Sequence, residues 1–149
     1  MRILKLAALL GALMLCLAGV SAPAEGAVSV EGESDMQMMI GDTPVTVAWE
    51  DNASVEALKA LAAEGMAIEM SMYGGFEQVG SIGQSLPRDD RQTTTVAGDI
   101  VLYSGDQLVV FYGSNAWAYT RLGHITDQSP EQMRALLGSG DVTIALSVK

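Results

Sequence analysis

The chain has a single cysteine, and that residue lies inside an apolar N-terminal run. Cys16 follows Leu15, whereas a lipoprotein signal carries a small residue before its cysteine, so we do not expect lipidation. Once this run is removed, the rest of the chain contains no cysteine. Disulfides, thiolate catalysis and zinc–thiolate sites are therefore excluded from it.

Basic residues are also scarce. Eight Lys and Arg face 18 Asp and Glu, which gives a formal net charge of −10 at pH 7. Loss of the N-terminal run removes Arg2 and Lys5 and leaves six basic residues, so the charge becomes −12. Such a surface repels nucleic-acid phosphates and disfavours anionic membranes. We interpret the acidity as the surface of a soluble exported protein.

His124 is the only histidine. Without a second histidine or a cysteine nearby, we predict no metal site and no cofactor. We interpret His124 as a turn residue that follows a strand. The alternative is a general base paired with a carboxylate.

No apolar run reaches the roughly 20 residues of a membrane-spanning helix. The run at 6–20 follows a positive start and precedes the A-x-A pattern Ala22-Pro23-Ala24. We predict a signal peptide over residues 1–24 and export to the periplasm or the exterior. The alternative is a retained N-terminal anchor. Residues 25–35 are small, polar and acidic and predict a flexible tether, and residues 36–149 form the domain.

Short segments with a period of two dominate residues 36–149. They predict strands near 36–40, 45–49, 67–73, 92–96, 99–103, 108–112, 116–122 and 141–149. Capping signals at Asn52 or Ser54 and at Ser129 begin two amphipathic helices, which end near Gly65 and Gly138. About eight strands without regular helix alternation exclude a parallel βαβ fold and favour an antiparallel barrel or sandwich.

The glycine-rich segment 74–90 is predicted as a long loop, and loops of that length are often functional. Within it, Arg88 is placed to hold a carboxylate ligand. In the alternative, Arg88 pairs with Asp89 or Asp90 and only pins the loop.

Several long stretches resemble one known family. They are IGDTPVTV, SVEALKAL, MYGGFEQVGSIGQSLPRDD, TTTVAGDIVLY and WAYTRLGHI. Together they resemble the small bacterial cyclophilin-like proteins. The resemblance implies a mainly β fold, a closed antiparallel β-barrel of about eight strands with two capping helices.

True cyclophilins are prolyl isomerases that use an arginine in an F-H-R type sequence. The comparable stretch here is Gly75-Phe76-Glu77, and a carboxylate does not stabilise the twisted prolyl amide as a guanidinium does. Together with the predicted signal peptide, we interpret the chain as an exported cyclophilin-like binding module for a peptide segment or small anionic ligand, without the standard isomerase chemistry. One alternative is a prolyl isomerase or related small enzyme that uses Arg88 or Arg121. Another is an accessory domain that docks on a partner.

Aromatic residues are few, yet several of them fall near the two arginines. Trp117, Tyr119 and Arg121 alternate, so we expect them on one face of a strand. We predict that Arg88 and Arg121 reach the same barrel opening. The predicted ligand-binding residues are Tyr73, Phe76, Glu77, Arg88, Tyr112, Trp117 and Arg121.

Overall fold

The computed structural model describes residues 35–149, so the predicted signal peptide, its cleavage site and residues 25–34 of the tether lie outside the described residues. The described part contains β1 (Met36–Ile40), β2 (Thr43–Val45), β3 (Val47–Trp49), α1 (Ala53–Ala62), β4 (Met66–Glu69), β5 (Ser71–Tyr73), β6 (Glu77–Ser81), β7 (Arg91–Thr94), β8 (Asp99–Tyr103), β9 (Gln107–Phe111), β10 (Ala116–Ile125), α2 (Pro130–Leu137) and β11 (Thr143–Val148). Over residues 35–149, neither helix has the length and apolar character needed to cross a membrane.

The strands form two antiparallel sheets. The first has four strands in the order β2-β1-β11-β4. The second has seven strands, in the order β3-β10-β8-β9-β6-β5, with β7 also paired to β10. The predicted mainly β class with antiparallel strands and two helices is confirmed. No ladder joins the two sheets within the described residues, so the closed barrel stays a prediction.

Two predicted strands turn out to be divided between the sheets, and this raises the strand number. The segment 45–49 breaks at Thr46, whose N–H donates to Asp127 Oδ1 at 3.0 Å and whose carbonyl accepts from Thr126 N at 2.9 Å. The segment 67–73 breaks at Met70, whose N–H donates to the Val142 carbonyl at 2.8 Å. At each break the chain leaves the four-stranded sheet and enters the seven-stranded one.

Both helices begin at the capping residues that the sequence indicates. Asn52 Oδ1 accepts from the Val55 N–H at 2.8 Å, and its Nδ2 donates to the Arg121 carbonyl, which fixes α1 to β10. Ser129 and Gln132 form a reciprocal capping box at the start of α2. The start of each helix is therefore fixed by its capping residue, and the orientation of the helix is fixed by the sheet that it covers.

The main core lies between the inner faces of the sheets and the two helices. Its fully buried members include Met38, Leu58, Ile68, Ile100, Leu102, Leu108, Leu122, Met133 and Ile144. A second, smaller cluster contains Val101, Val109, Phe111 and Tyr119, with Phe76 and Val79 packed against it. Since neighbouring strand residues point to opposite faces, this second cluster lies on the other face of the seven-stranded sheet.

The prediction of a loop over 74–90 is wrong for residues 77–81. These residues form β6, which pairs with β5 on one side and β9 on the other. Gly74 and Gly75, with φ of +67° and +75°, make the tight turn that precedes it. The sequence of β6 shows no alternation of polar and apolar residues, because the polar residues Glu77 and Gln78 are both buried, on opposite faces of the strand.

Candidate functional site

An open cleft of about 410 Å³ lies over the second cluster, and we call it the aromatic cleft. Its lining residues are Tyr73, Glu77, Val79, Tyr103, Gln107, Asn115, Trp117 and Tyr119. Two of them, Tyr73 and Trp117, are 66% and 57% exposed. The cleft therefore presents large aromatic surfaces to solvent on one face of the seven-stranded sheet.

Strand pairing explains how distant residues meet in this cleft. Tyr73 on β5 lies opposite Glu77 on β6, which in turn lies opposite Phe111 on β9. Tyr103 on β8 lies opposite Gln107 across the β8–β9 hairpin. The register places their side chains on the face of the sheet away from the main core.

Glu77 forms part of the cleft and is almost fully buried, with 7% of its surface exposed. Its side chain makes no hydrogen bond and no ion pair with any residue in the range 35–149. Burial alone raises the pKa of this carboxyl from 4.5 to about 7, because a carboxylate loses its hydration there. Near neutral pH the group is thus divided between its acid and its carboxylate.

Tyr119 forms the buried side of the cleft. Its ring makes edge contacts with Tyr103 and Phe111, with centroid separations of 6.1 and 5.7 Å. Its hydroxyl accepts a 2.8 Å hydrogen bond from Asn115 Nδ2. Burial, reinforced by the charge of Glu77, raises the pKa of Tyr119, while the bond from Asn115 lowers it. The phenol stays neutral and holds Asn115 at the rim.

A second open cleft, of about 550 Å³, contains both predicted arginines, and we call it the arginine cleft. Its lining residues include Asn52, Ser54, Arg88, Asp89, Arg91, Thr93, Tyr119, Thr120 and Arg121. Tyr119 is common to both clefts, so the two are neighbours on one face of the sheet.

Each arginine of the second cleft already has a carboxylate partner. Arg88 lies 3.0 Å from Asp90 Oδ2, and Arg121 lies 2.9 Å from Asp99 Oδ1. Arg91 pairs with Asp89 at 2.9 Å. The first pair corresponds to the alternative stated above, in which Arg88 pins its own loop.

His124 is not a turn residue, as the sequence suggested, because it lies within β10. Its Nδ1 is 2.8 Å from Oδ1 of the buried Asp99, which Arg121 also contacts. The other carboxylate oxygen of Asp99 accepts from the Val96 N–H. A bulge between Arg121 and Gly123 brings the side chains of Arg121 and His124 to one side of the strand, and a bulge cannot be predicted from alternation. Over residues 35–149, no group of three or more potential metal ligands occurs.

The predicted site residues are thus divided among four places, which are the two clefts, the second cluster and the main core. Tyr73, Glu77 and Trp117 line the aromatic cleft, and Arg88 and Arg121 line the arginine cleft. Phe76 lies beneath the first cleft, stacked on Phe111 with centroids 6.5 Å apart. Tyr112 is buried in the main core and lines neither cleft.

Tyr103, Gln107 and Asn115 also line the aromatic cleft, although they were not among the residues predicted from the sequence. A signal was present for the first two, because a hairpin between 99–103 and 107–111 must place Tyr103 beside Gln107. Asn115 carried no such signal, because it lies outside the strands and reaches the cleft through Tyr119.

A comparison with protein-family models matches residues 38–147 to the cyclophilin-like family. This range includes every residue that lines the two clefts, and it covers all strands from β2 to β10. No curated protein matches the chain.

Proposed function

Because the chain belongs to the cyclophilin-like family, we propose that it is an exported binding module that holds a peptide segment in the aromatic cleft. The observation that carries this proposal is the pair of exposed aromatic side chains, Tyr73 and Trp117, beside a half-open cleft. Exposed tyrosine and tryptophan provide much contact area at a small entropic cost, and they dominate many peptide and protein interfaces.

The polar groups of the cleft suit a peptide backbone. Gln107 and Asn115 bring side-chain amides to the lining, and amides both donate to and accept from peptide groups. The remaining lining is aromatic or aliphatic, apart from Glu77. A cleft with apolar walls and a few fixed polar groups is the usual form of a specific binding site.

A closed barrel is part of this proposal. The supporting observations are the two strands that pass from one sheet to the other at Thr46 and Met70, and the single core that both sheets share. A closed or nearly closed wall would hold the cleft residues at fixed separations, which is what a preformed site requires.

The expectation of a small anionic ligand receives less support than the peptide. Arg88, Arg91 and Arg121 each pair with an aspartate, so an anion would have to compete with a carboxylate already in place. The enzyme alternative relies on the same Arg88 and Arg121. Neither residue lines the aromatic cleft.

Selection of phage-displayed random heptapeptides on the immobilised full chain tests the proposal. We expect an enriched set that binds the native chain and loses at least tenfold in affinity to a Trp117→Ala variant, since truncation of a central aromatic anchor commonly costs about 2 kcal/mol. Trp49→Ala is unsuitable as a control because Trp49 Nε1 donates to the Met36 carbonyl. Val96→Ala is better matched, because Val96 is 56% exposed and lines neither cleft.

Two results would count against the proposal. One is the absence of any enriched peptide. The other is an enriched set whose affinity falls equally in Trp117→Ala and Val96→Ala, since such peptides would bind outside the aromatic cleft.

A further inference from the structure

Glu77 poses a physical problem that peptide binding in general does not solve. An ionised carboxylate buried without a hydrogen bond or cation is strongly destabilising. Glu77 is 7% exposed and has no partner of either kind among residues 35–149. A buried acid that faces an open cleft without a partner is a group to which a ligand can supply the missing charge.

The walls of the cleft favour a cation in particular. Trp117, Tyr73 and Tyr103 all line it, and aromatic faces attract ammonium groups, tryptophan most strongly. No lysine or arginine lines this cleft in the described part of the chain, so nothing there already neutralises Glu77. The net charge of −10 also attracts cations over a longer range.

We propose that the aromatic cleft binds a primary ammonium group, with Glu77 as its counter-ion and Trp117 and Tyr73 as its aromatic walls. A lysine side chain of a peptide and a free alkylamine share this chemistry. The lysine source rests on the peptide-binding function proposed above, and the ammonium chemistry does not.

The proposal has a consequence for pH. Because the pKa of Glu77 is raised to about 7 by burial, the carboxylate that pairs with a cation is present mainly above neutral pH. The other ionisable groups facing it are the phenols of Tyr73 on β5, Tyr103 on β8 and Tyr119 on β10, while β9 contributes Gln107 and Phe111. Phenols in general ionise near pH 10, and amide and hydrocarbon side chains do not titrate. Affinity for an ammonium group should therefore rise by up to about 100-fold from pH 5 to pH 8, over which lysine stays charged.

The test follows the tryptophan emission of the full chain, and the part due to Trp117 is assigned by repeating each titration in Trp117→Phe. Trp49 stays in place because its Nε1 donates to the Met36 carbonyl. The probes are acetyl-Gly-Lys-Gly-amide, its norleucine analogue, which has no ammonium group, and n-butylamine. Each is titrated at pH 5 and pH 8. Glu77→Gln removes the charge at nearly constant shape, and Glu64→Gln is the matched control, because Glu64 is exposed and lies outside both clefts.

We expect the lysine probe to bind at least tenfold more tightly than the norleucine probe at pH 8. Glu77→Gln should abolish both this preference and the pH dependence, and Glu64→Gln should retain them. Butylamine that binds as tightly as the lysine probe would assign the site to free amines, and a clear advantage for the tripeptide would assign it to peptides.

Equal binding of the lysine and norleucine probes would overturn the inference, as would a Trp117 signal that responds to no probe. The two proposals fail separately. Selected heptapeptides that require Trp117 but show no preference for lysine would remove the ammonium inference and leave peptide binding intact. If butylamine binds in a way that depends on Glu77 and no peptide binds, the ammonium inference stands and the peptide-binding function is removed.

Discussion

Glu77 and Asp99 are both buried carboxyl groups on the same face of the sheet, yet their surroundings differ. Asp99 accepts hydrogen bonds from Arg121, His124 and the Val96 N–H. Glu77 has none of these compensations within residues 35–149. An acid held by cations and N–H donors is part of the scaffold, whereas an acid left without them lowers stability when ionised.

Because ionised Glu77 lowers the stability of the fold, the free energy of unfolding should depend on pH. The pKa of Glu77 is about 7 in the folded chain, and its ordinary value of 4.5 applies to the unfolded chain. Between pH 4.5 and 7 the folded state therefore binds more protons than the unfolded state. The free energy of unfolding should therefore fall as pH rises from about 4.5 to 7, by about 1–3 kcal/mol from this group. In urea unfolding experiments, the free energy of unfolding of Glu77→Gln should rise by that amount relative to the native chain between pH 4.5 and pH 8.

Glu64→Gln again serves as the control and should follow the native chain at both pH values. If Glu77→Gln and the native chain keep a constant difference across this range, Glu77 does not carry a raised pKa.

A second prediction at this scale compares two arginines. Arg121 pairs with Asp99, whose side chain is 3% exposed, whereas Arg91 pairs with Asp89, and both of these side chains are largely exposed. Arg121→Ala should destabilise the fold by about 1–3 kcal/mol, because it removes a charge-assisted bond from a buried acceptor. Arg91→Ala should change stability by less than about 0.5 kcal/mol. Equal urea midpoints for the two variants would contradict the structural role of the Arg121–Asp99 pair.

At the scale of elements, β6 connects the cleft to the core. Its Glu77 and Val79 face the aromatic cleft, and its Gly80 faces the main core beside β4. A Cβ at Gly80 would lie 2.5 Å from the Glu69 carbonyl oxygen and 2.7 Å from Ile68 Cγ2. The glycine is needed because the backbone of β4 passes directly over β6 at this point.

We therefore expect Gly80→Ala to destabilise the fold by about 1–3 kcal/mol, the usual cost of overpacking a core. The melting temperature should fall by about 4 °C or more, given the size of the domain. Ser81→Ala is the neighbouring control, because Ser81 is exposed and loses only its bond to the Gly83 N–H. A melting temperature for Gly80→Ala that matches the control would show that β4 and β6 can separate at little cost.

The molecule as a whole is expected to be a weak prolyl isomerase at most. Among residues 35–149, the lining of the aromatic cleft includes an acid, Glu77, and no arginine, and the arginines nearby are paired with aspartates. A guanidinium is therefore not available there to stabilise a twisted prolyl amide. In a protease-coupled assay on an Ala-Pro peptide, kcat/KM should lie far below about 10⁷ M⁻¹ s⁻¹, which is a value close to the diffusional limit. A value at or above that level would restore the isomerase alternative.

The second whole-molecule prediction is about processing. The apolar run and the Ala22-Pro23-Ala24 pattern favour export with cleavage after Ala24. N-terminal sequencing of the protein recovered from its native host should begin at Glu25. A chain that still begins near Met1 would favour the retained anchor instead.

Much of the fold followed from the sequence by itself. The period-two segments, the caps at Asn52 and Ser129 and the absence of regular βα alternation determined a mainly β, antiparallel fold with two helices. These features depend on interactions between residues close in the chain, so a local pattern is enough to specify them. The long quoted stretches were specific enough to identify the family as well.

The grouping of residues into the two clefts depends on long-range contacts that the local pattern does not specify. Whether Arg121 meets a ligand or Asp99 depends on the register of β10 against β8, and whether Glu77 lies in a loop or on a central strand depends on its pairing with β5 and β9. These contacts join residues that are distant in the chain, and strand register alone sets which of them share a face. Strand pairing therefore separated the arginines from Tyr73 and Trp117, and it left Glu77 buried beside the aromatic residues without a partner of its own.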